Sequence, residues 1–140
     1  MRKIDRIIIT TEQPLELELE QLRNYHVSKG LEDIGYHYTL SGLGVLRVGR
    51  RAESPPAPAT AFNQSAIAVC LLGAIPIDYT RADLEKVAAP LADLCITYGL
   101  YAKQIKESKD LGIITSFNMD SLRAIVQDVL DGSERGYYVF

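Results

Sequence analysis

Two short aliphatic runs limit the fold of this chain more than any other feature. Residues 66–73 read AIAVCLLG, and residues 7–9 are three consecutive isoleucines. Runs of this length without polar alternation are typical of strands that are buried on both faces of a sheet. A sheet of that kind needs other elements packed on both sides. We therefore expect an α/β domain with a mixed central sheet flanked by helices.

The first half of the chain supplies further elements for this sheet. Between residues 15 and 30, three leucines and a histidine are spaced four, three and four apart, which predicts a helix that ends at the closing glycine. Residues 36–40 and 45–50 flank the sequence SGLG and predict a hairpin. The proline-rich stretch 52–62 predicts an irregular loop. Another strand is predicted within residues 101–108.

Two longer helices are predicted in the second half. One begins at Thr80, an N-cap followed three residues later by Asp83 in a pattern like a capping box, and runs to about residue 98. Pro90 should kink or break this helix. The other runs over about 119–130, with Gly132 as its C-terminal cap.

Composition and charge narrow the class of protein. With 140 residues, 47% hydrophobic and 24% charged, the chain fits a single globular domain over 1–140. Its net charge of −3 argues against nucleic acid as a partner. The N-terminus has no signal-peptide core, and the longest apolar run, 66–77, is too short to span a membrane, so we expect a cytoplasmic protein without a membrane partner. Cys70 and Cys95 lie in apolar runs and should be buried free thiols.

Several motifs resemble one known family. The matching stretches are YH at 25–26, DIGYHY at 33–38, GR at 49–50, FNQSAIAVCLLG at 62–73 and FNMDSLRAIV at 117–126. Together they resemble the zinc amidase family, which includes N-acetylmuramoyl-L-alanine amidases, phage lysozyme-type amidases and peptidoglycan recognition proteins. The resemblance covers most of the chain and implies the amidase-like fold.

The resemblance also implies that the zinc ligands of the family are missing. Family members hold zinc with two histidines and a third histidine, cysteine or aspartate; the corresponding positions here are Thr10, Ser108 and Ile114. Neutral hydroxyls and an isoleucine are not adequate zinc ligands. Without zinc, no bound water is activated and no amide carbonyl is polarised. We therefore expect no cofactor, no metal and no catalysis.

The resemblance implies a former active-site groove with the following border. Tyr36 matches the catalytic tyrosine of the family, and Pro58 stands where a substrate-contacting histidine usually lies. The expected ligand-binding residues are Tyr36, Arg47, Arg50, Pro58 and Asn63. The alternatives are that Tyr36 only packs, that Asn63 braces its own loop and that the arginines form a solvated face. His26 and His37 are expected to be hydrogen-bonded core residues.

Three functions stay open, and the first of them, binding without cleavage, is the one expected. The first ligand to consider is a muropeptide or peptidoglycan fragment. The second alternative is a regulatory or inhibitory protein of phage or mobile-element type, which acts on a cytosolic protein, as some phage members act on a polymerase, or sequesters a small anionic signal molecule. The third is an amidase with a rearranged metal site, for which carboxylates are available. Those carboxylates are Glu12, Glu107, Asp110 and Asp120.

Overall fold

The computed structural model of the protein describes residues 3–11, 19–29, 35–56, 64–71, 80–108 and 118–134. Five strands form one sheet, in the order β3-β2-β4-β1-β5. The strands are β1 (Arg6–Thr11), β2 (Tyr38–Leu40), β3 (Leu46–Val48), β4 (Ala66–Leu71) and β5 (Ile105–Glu107). The helices are α1 (Leu19–Ser28), α2 (Arg81–Tyr98) and α3 (Met119–Glu134), and a 3-10 turn covers Ala102–Gln104.

The sheet is mixed, as predicted. Strand β1 lies parallel to both β4 and β5, and β2 lies parallel to β4. Only β3 runs antiparallel to its neighbour β2, because the two form the predicted hairpin. The two aliphatic runs become the adjacent strands β1 and β4 in the middle of the sheet, where all six residues of β4 are buried.

The main core lies between one face of the sheet and the helices α2 and α3, which also pack against each other. The sheet contributes the buried side chains of Ile7, Ile9, Leu40, Ile67, Val69 and Leu71. The helices contribute Val87, Leu91 and Cys95 from α2 and Leu122 and Val126 from α3. On the opposite face of the sheet, Ile8, Ala68 and Cys70 are buried as well.

Helix α2 begins at the predicted cap. The Thr80 hydroxyl accepts the backbone N–H of Asp83 at 3.2 Å, and the Thr80 backbone N–H donates to the Asp83 carboxylate at 2.9 Å. These bonds form a capping box. The Asp83 carboxylate accepts from both the backbone N–H and the hydroxyl of Thr80, and these two bonds hold the pKa of Asp83 below its ordinary value, the backbone bond most strongly. Helix α2 ends at Gly99, which adopts a left-handed conformation.

The helix predictions at Pro90 and Gly132 have different outcomes. The sequence predicted a kink or a break at Pro90, and the structure shows no break there, because α2 continues through Pro90 to Tyr98. Helix α3 continues beyond Gly132 to Glu134, so Gly132 is a buried residue inside the helix and not its cap. The start predicted for α1, before residue 19, lies outside the described residues. No helix in the described ranges is long and apolar enough to cross a membrane.

The turn of the β2–β3 hairpin lies against the backbone of α2. Gly44 has a φ of 87°, and a Cβ at this position would lie 2.5 Å from the carbonyl oxygen of Lys86. Pro90 has no N–H, so this carbonyl cannot receive the usual helical bond from the residue four positions on. Glycine at 44 therefore lets the hairpin approach α2 closely, at a carbonyl that the proline has left available.

Candidate functional site

Strands β1 and β5 bring Thr10 and Ser108 together at their carboxyl ends. The Ser108 hydroxyl donates to the Thr10 hydroxyl at 2.9 Å, and the Ser108 backbone N–H donates to the carbonyl of Ile9 at 2.9 Å. Both side chains are half-buried. The two residues are 98 positions apart in sequence, so only the sheet makes them neighbours. The third expected position, Ile114, lies outside the described residues.

The sheet register extends this pair into a row of small polar side chains. Thr10 is the register partner of Cys70, and Cys70 is the partner of Thr39. Since register partners point to the same face of a sheet, Thr39, Cys70, Thr10 and Ser108 line one face at one level. We call these four residues the small-polar row. All four offer neutral hydroxyl or thiol groups, and none offers an imidazole or a carboxylate.

His37 is fully buried and both of its ring nitrogens are engaged. Its Nδ1 accepts the backbone N–H of Ala68 at 2.9 Å, and its Nε2 lies 2.7 Å from the carbonyl oxygen of Ser54. Because Nδ1 accepts, the neutral ring carries its proton on Nε2 and donates it to Ser54. The ring thus joins β4 to the loop after β3. This confirms the prediction that His37 is a hydrogen-bonded core residue.

His26 attaches α1 to the DIGYHY motif. Its Nδ1 accepts the backbone N–H of Gly35 at 2.9 Å, and its ring lies 5.6 Å from the ring of Tyr36. The side chain is 7% exposed. His26 is therefore a hydrogen-bonded core residue as well, as predicted, and its ring packs against the ring of Tyr36.

Hydrogen bonding of the histidines and burial of the cysteines both work against zinc binding by these side chains. The chain has two histidines and two cysteines. Both histidines use Nδ1 to hold a backbone N–H. Both cysteines are free thiols with no exposed surface, and burial raises the pKa of Cys95 to about 11. Zinc binds thiolates, so a raised pKa works against that ligand.

Carboxylates do not complete a metal site in the described part of the chain. Among those residues, no three His, Cys, Asp or Glu side chains lie close enough together to hold a metal ion. Glu107 is exposed on β5, and Asp120 accepts from Arg123 at 3.3 Å on the surface of α3. Glu12 and Asp110 lie outside the described residues. The residues that the structure describes therefore do not fit the zinc that the amidase-like fold implies.

The expected groove residues are partly brought together. The Arg50 backbone N–H donates to the carbonyl of Tyr36 at 2.7 Å, so these two residues are neighbours. The Arg50 guanidinium donates to the carbonyl of Pro55 at 3.0 Å, which gives it a structural role. Arg47 is exposed on β3, the terminal strand of the sheet. Pro58 and Asn63 lie outside the described residues.

The loop that follows β3 is held by His37, which was expected to be a hydrogen-bonded core residue, and by Arg50, which was expected to contact ligand. The carbonyls of Ser54 and Pro55 accept from His37 Nε2 and Arg50 Nη1, respectively. The sequence gives no signal for two successive backbone acceptors in an irregular stretch. The small-polar row was not predicted from the sequence either, because Thr39 and Cys70 become neighbours only through the strand register.

Comparison with known proteins agrees with this geometry. The chain is 23% identical over 94 residues to an endolysin of Klebsiella phage KP32 and 27% identical over 86 residues to an endolysin of Escherichia phage T7. These alignments cover 63% and 57% of this chain and 62% and 57% of the endolysins. The chain thus spans less than two thirds of the length of these relatives. No family model matches it.

Solved structures resemble the fold over most of the chain. The N-acetylmuramoyl-L-alanine amidase LysC from Clostridium intestinale superposes with a TM-score of 0.70 at 17% identity, covering 88% of this chain and 85% of LysC. Drosophila peptidoglycan recognition protein SD superposes with a TM-score of 0.64 at 18% identity, covering 91% and 81% of the two chains. Sequence relatives and structural neighbours agree: the chain is similar to phage endolysins and has the fold of N-acetylmuramoyl-L-alanine amidases and peptidoglycan recognition proteins.

Proposed function

We propose that this protein binds a peptidoglycan fragment, with a muropeptide as the first candidate, and does not cleave it. The observation that carries this proposal is the hydrogen bond between Ser108 and Thr10. Two neutral hydroxyls bonded to each other occupy the two described positions that the resemblance assigns to zinc ligands. Hydrolysis of an amide in this family depends on a metal-activated water, and these hydroxyls supply no comparable activation.

The architecture around Tyr36 supports retention of a binding surface. Tyr36 rests on His26, and its backbone is bonded to Arg50. The following loop is fixed by bonds from His37 and Arg50 to successive carbonyls. A surface that is ordered before the ligand arrives loses less conformational entropy on binding. Peptidoglycan stem peptides carry carboxylates, which are suited to arginine side chains at the border of the groove.

The names of the structural neighbours support the ligand class. One neighbour is a peptidoglycan recognition protein and another is an N-acetylmuramoyl-L-alanine amidase, so both bear names that refer to the same polymer. Recognition and hydrolysis thus occur on one fold. The hydroxyls of Thr10 and Ser108, at positions where zinc ligands are expected, favour recognition over hydrolysis for this chain.

Co-sedimentation with insoluble peptidoglycan tests the proposal, with a parallel assay for released soluble fragments. We expect the protein to sediment with peptidoglycan equally well in the presence and absence of a metal chelator, and to release no fragments. Tyr36→Ala should weaken binding by about 1–3 kcal/mol, as expected for an aromatic anchor. Tyr101→Ala is a matched control, because Tyr101 is 53% exposed and lies on the segment before β5.

Two outcomes would overturn this proposal. Release of fragments that stops when chelator is added identifies an active amidase with a rearranged metal site. Failure of the wild-type protein to sediment with peptidoglycan removes the proposed ligand class.

A further inference from the structure

The hairpin strand β3 is the terminal strand of the sheet that the described residues form. Two bonds fix which of its backbone groups face outward: Gly49 N–H donates to His37 O, and Ser41 N–H donates to Val45 O. In an antiparallel ladder with these bonds, Arg47 exchanges its bonds with Thr39, its register partner on β2. The N–H and C=O groups of Leu46 and Val48 therefore point away from β2, towards the open edge of the described sheet.

The same hairpin exposes more apolar surface than its length requires. Leu43 and Val48 are 67% and 66% exposed, and Val45 is 48% exposed. We call residues 43–48 the hairpin edge. Natural proteins usually protect terminal strands with charges, prolines or bulges, because an open apolar edge can pair with another chain. An apolar edge next to outward backbone groups is therefore typical of an interaction surface.

The charge of this region is opposite to that of the whole chain. Residues 36–52 contain three arginines and no acidic residue, although the net charge of the protein is −3. Arg47 is exposed on β3, and the Arg51 side chain is 86% exposed, with Glu53 as a distant partner at 3.8 Å. Along β3, the side chain of Arg47 points to one face, and those of Leu46 and Val48 point to the other.

This pattern specifies the chemistry of a partner strand. A strand that pairs with the outward groups of Leu46 and Val48 places its own side chains directly opposite those of β3. Apolar residues would then lie beside Leu46 and Val48, and a carboxylate would lie beside Arg47. A second copy of the chain is a poorer partner, because the antiparallel register that uses all four outward groups of both copies sets Arg47 against Arg47.

The hairpin is also rigid enough to serve as a template. Gly44 seats its turn against the Lys86 carbonyl of α2, and the Ser41 hydroxyl accepts the backbone N–H groups of Leu43 and Val45, each at 3.2 Å. A strand that is already ordered loses less conformational entropy when a partner strand pairs with it.

We propose that β3 docks an extended segment of another protein in which apolar residues alternate with Asp or Glu. The segment adds a sixth strand next to β3, with its carboxylates on the face of Arg47 and its apolar side chains on the face of Val48. This docking surface shares Arg47 with the expected border of the groove, but it uses the outer backbone edge of β3 and does not require peptidoglycan binding.

The probe is a capped, fluorescently labelled peptide of about nine residues in which valine and glutamate alternate, measured by fluorescence polarisation. We expect saturable binding that Val48→Pro weakens at least about tenfold, because proline removes an outward N–H and leaves the ladder to β2 intact. Arg47→Glu should weaken binding of this peptide and strengthen binding of a peptide that alternates valine and lysine. Arg47 is exposed, so this charge exchange remains informative if Val48→Pro does not fold.

Three results would overturn the proposal. One is equal binding of the acidic and basic peptides to the wild-type protein, and another is an acidic-peptide affinity that neither variant changes. The third is a concentration-dependent dimer of the unliganded protein, detected by sedimentation velocity and abolished by Val48→Pro, which would assign the edge to a second copy of the chain.

Discussion

The Ser108 hydroxyl donates a hydrogen bond to the Thr10 hydroxyl at 2.9 Å, across the carboxyl ends of two parallel strands. This contact joins two positions that lie far apart in sequence and that the family resemblance assigns independently to metal ligands. Their proximity supports that assignment, because two ligands of one metal ion must lie close together in space. The sheet thus places two neutral hydroxyls next to each other at the positions where the resemblance predicts metal ligands.

The first prediction follows from this proximity. A Thr10→His/Ser108→His double variant should bind zinc more tightly than either single variant, because the two imidazoles can reach one ion. Isothermal titration with zinc measures the difference. The single variants are the matched controls, since each adds one imidazole. Equal affinity of the double and single variants would show that the two positions do not converge on one metal.

The second prediction concerns the contact between the hairpin and α2. Gly44→Ala should lower the free energy of unfolding by about 1–3 kcal/mol, because Cβ would lie 2.5 Å from the Lys86 carbonyl at a backbone φ of 87°. Chemical denaturation measures the loss. Gly99→Ala is the control: its φ of 68° is also left-handed, but no atom lies within 4 Å of the added Cβ. An equal or larger loss at Gly99 would contradict the account of this contact.

Some elements of the fold could be predicted from the sequence and others could not. The mixed sheet followed from two aliphatic runs and a hairpin, and the start of α2 followed from its cap, since each depends on local chemistry. Helix α2 has no break at Pro90, because the buried residues Val87 and Leu91 keep the helix packed on either side of it. Helix α3 passed Gly132 because its buried face continues through Leu130 to Gly132 itself.

The site was predictable only in part, for a similar physical reason. Thr10 and Ser108 could be identified through motif positions, but their hydrogen bond depends on the pairing of β1 with β5. Arg50 was expected to contact ligand, and the structure adds a bond from its guanidinium to the Pro55 carbonyl that the sequence did not predict. Contacts of this kind depend on how a loop folds back against the strands, and the spacing of residues in the sequence does not determine that path.

The third prediction tests the structural role of His37. His37→Ala should lower the free energy of unfolding by about 2–4 kcal/mol, because it opens a cavity and leaves the Ala68 N–H and the Ser54 carbonyl without their partner. Urea denaturation measures the loss. Arg47→Ala is the comparison, since an exposed position on the terminal strand should change stability by less than about 0.5 kcal/mol. A loss at His37 no larger than that at Arg47 would mean that the ring does not support the fold.

The fourth prediction concerns pH and Cys95. Burial raises the pKa of the Cys95 thiol to about 11, above its ordinary value of 9.0. The folded protein therefore keeps this proton over a pH range in which the unfolded chain releases it, so the free energy of unfolding should fall as the pH rises from about 9 to 11. The slope from this group is at most about 1.4 kcal/mol per pH unit.

Comparison with Cys95→Ala isolates this contribution, because the variant lacks the thiol and should depend less steeply on pH over the same range. Denaturation curves at several alkaline pH values provide the measurement. Thiol labelling of the wild-type protein at neutral pH should also be slow, since the side chain has no exposed surface. Parallel slopes for the two proteins, or rapid labelling of Cys95 without unfolding, would contradict its placement in the core.

The central claim is that the fold has been kept while the zinc site has been lost. The most direct test is the metal content of the wild-type protein after dialysis against micromolar zinc and removal of unbound metal. Because the side chains at positions 10, 108 and 114 are two hydroxyls and an isoleucine, and both histidines hold backbone N–H groups, we expect far less than one zinc ion per chain. One tightly held zinc ion per chain would contradict the account.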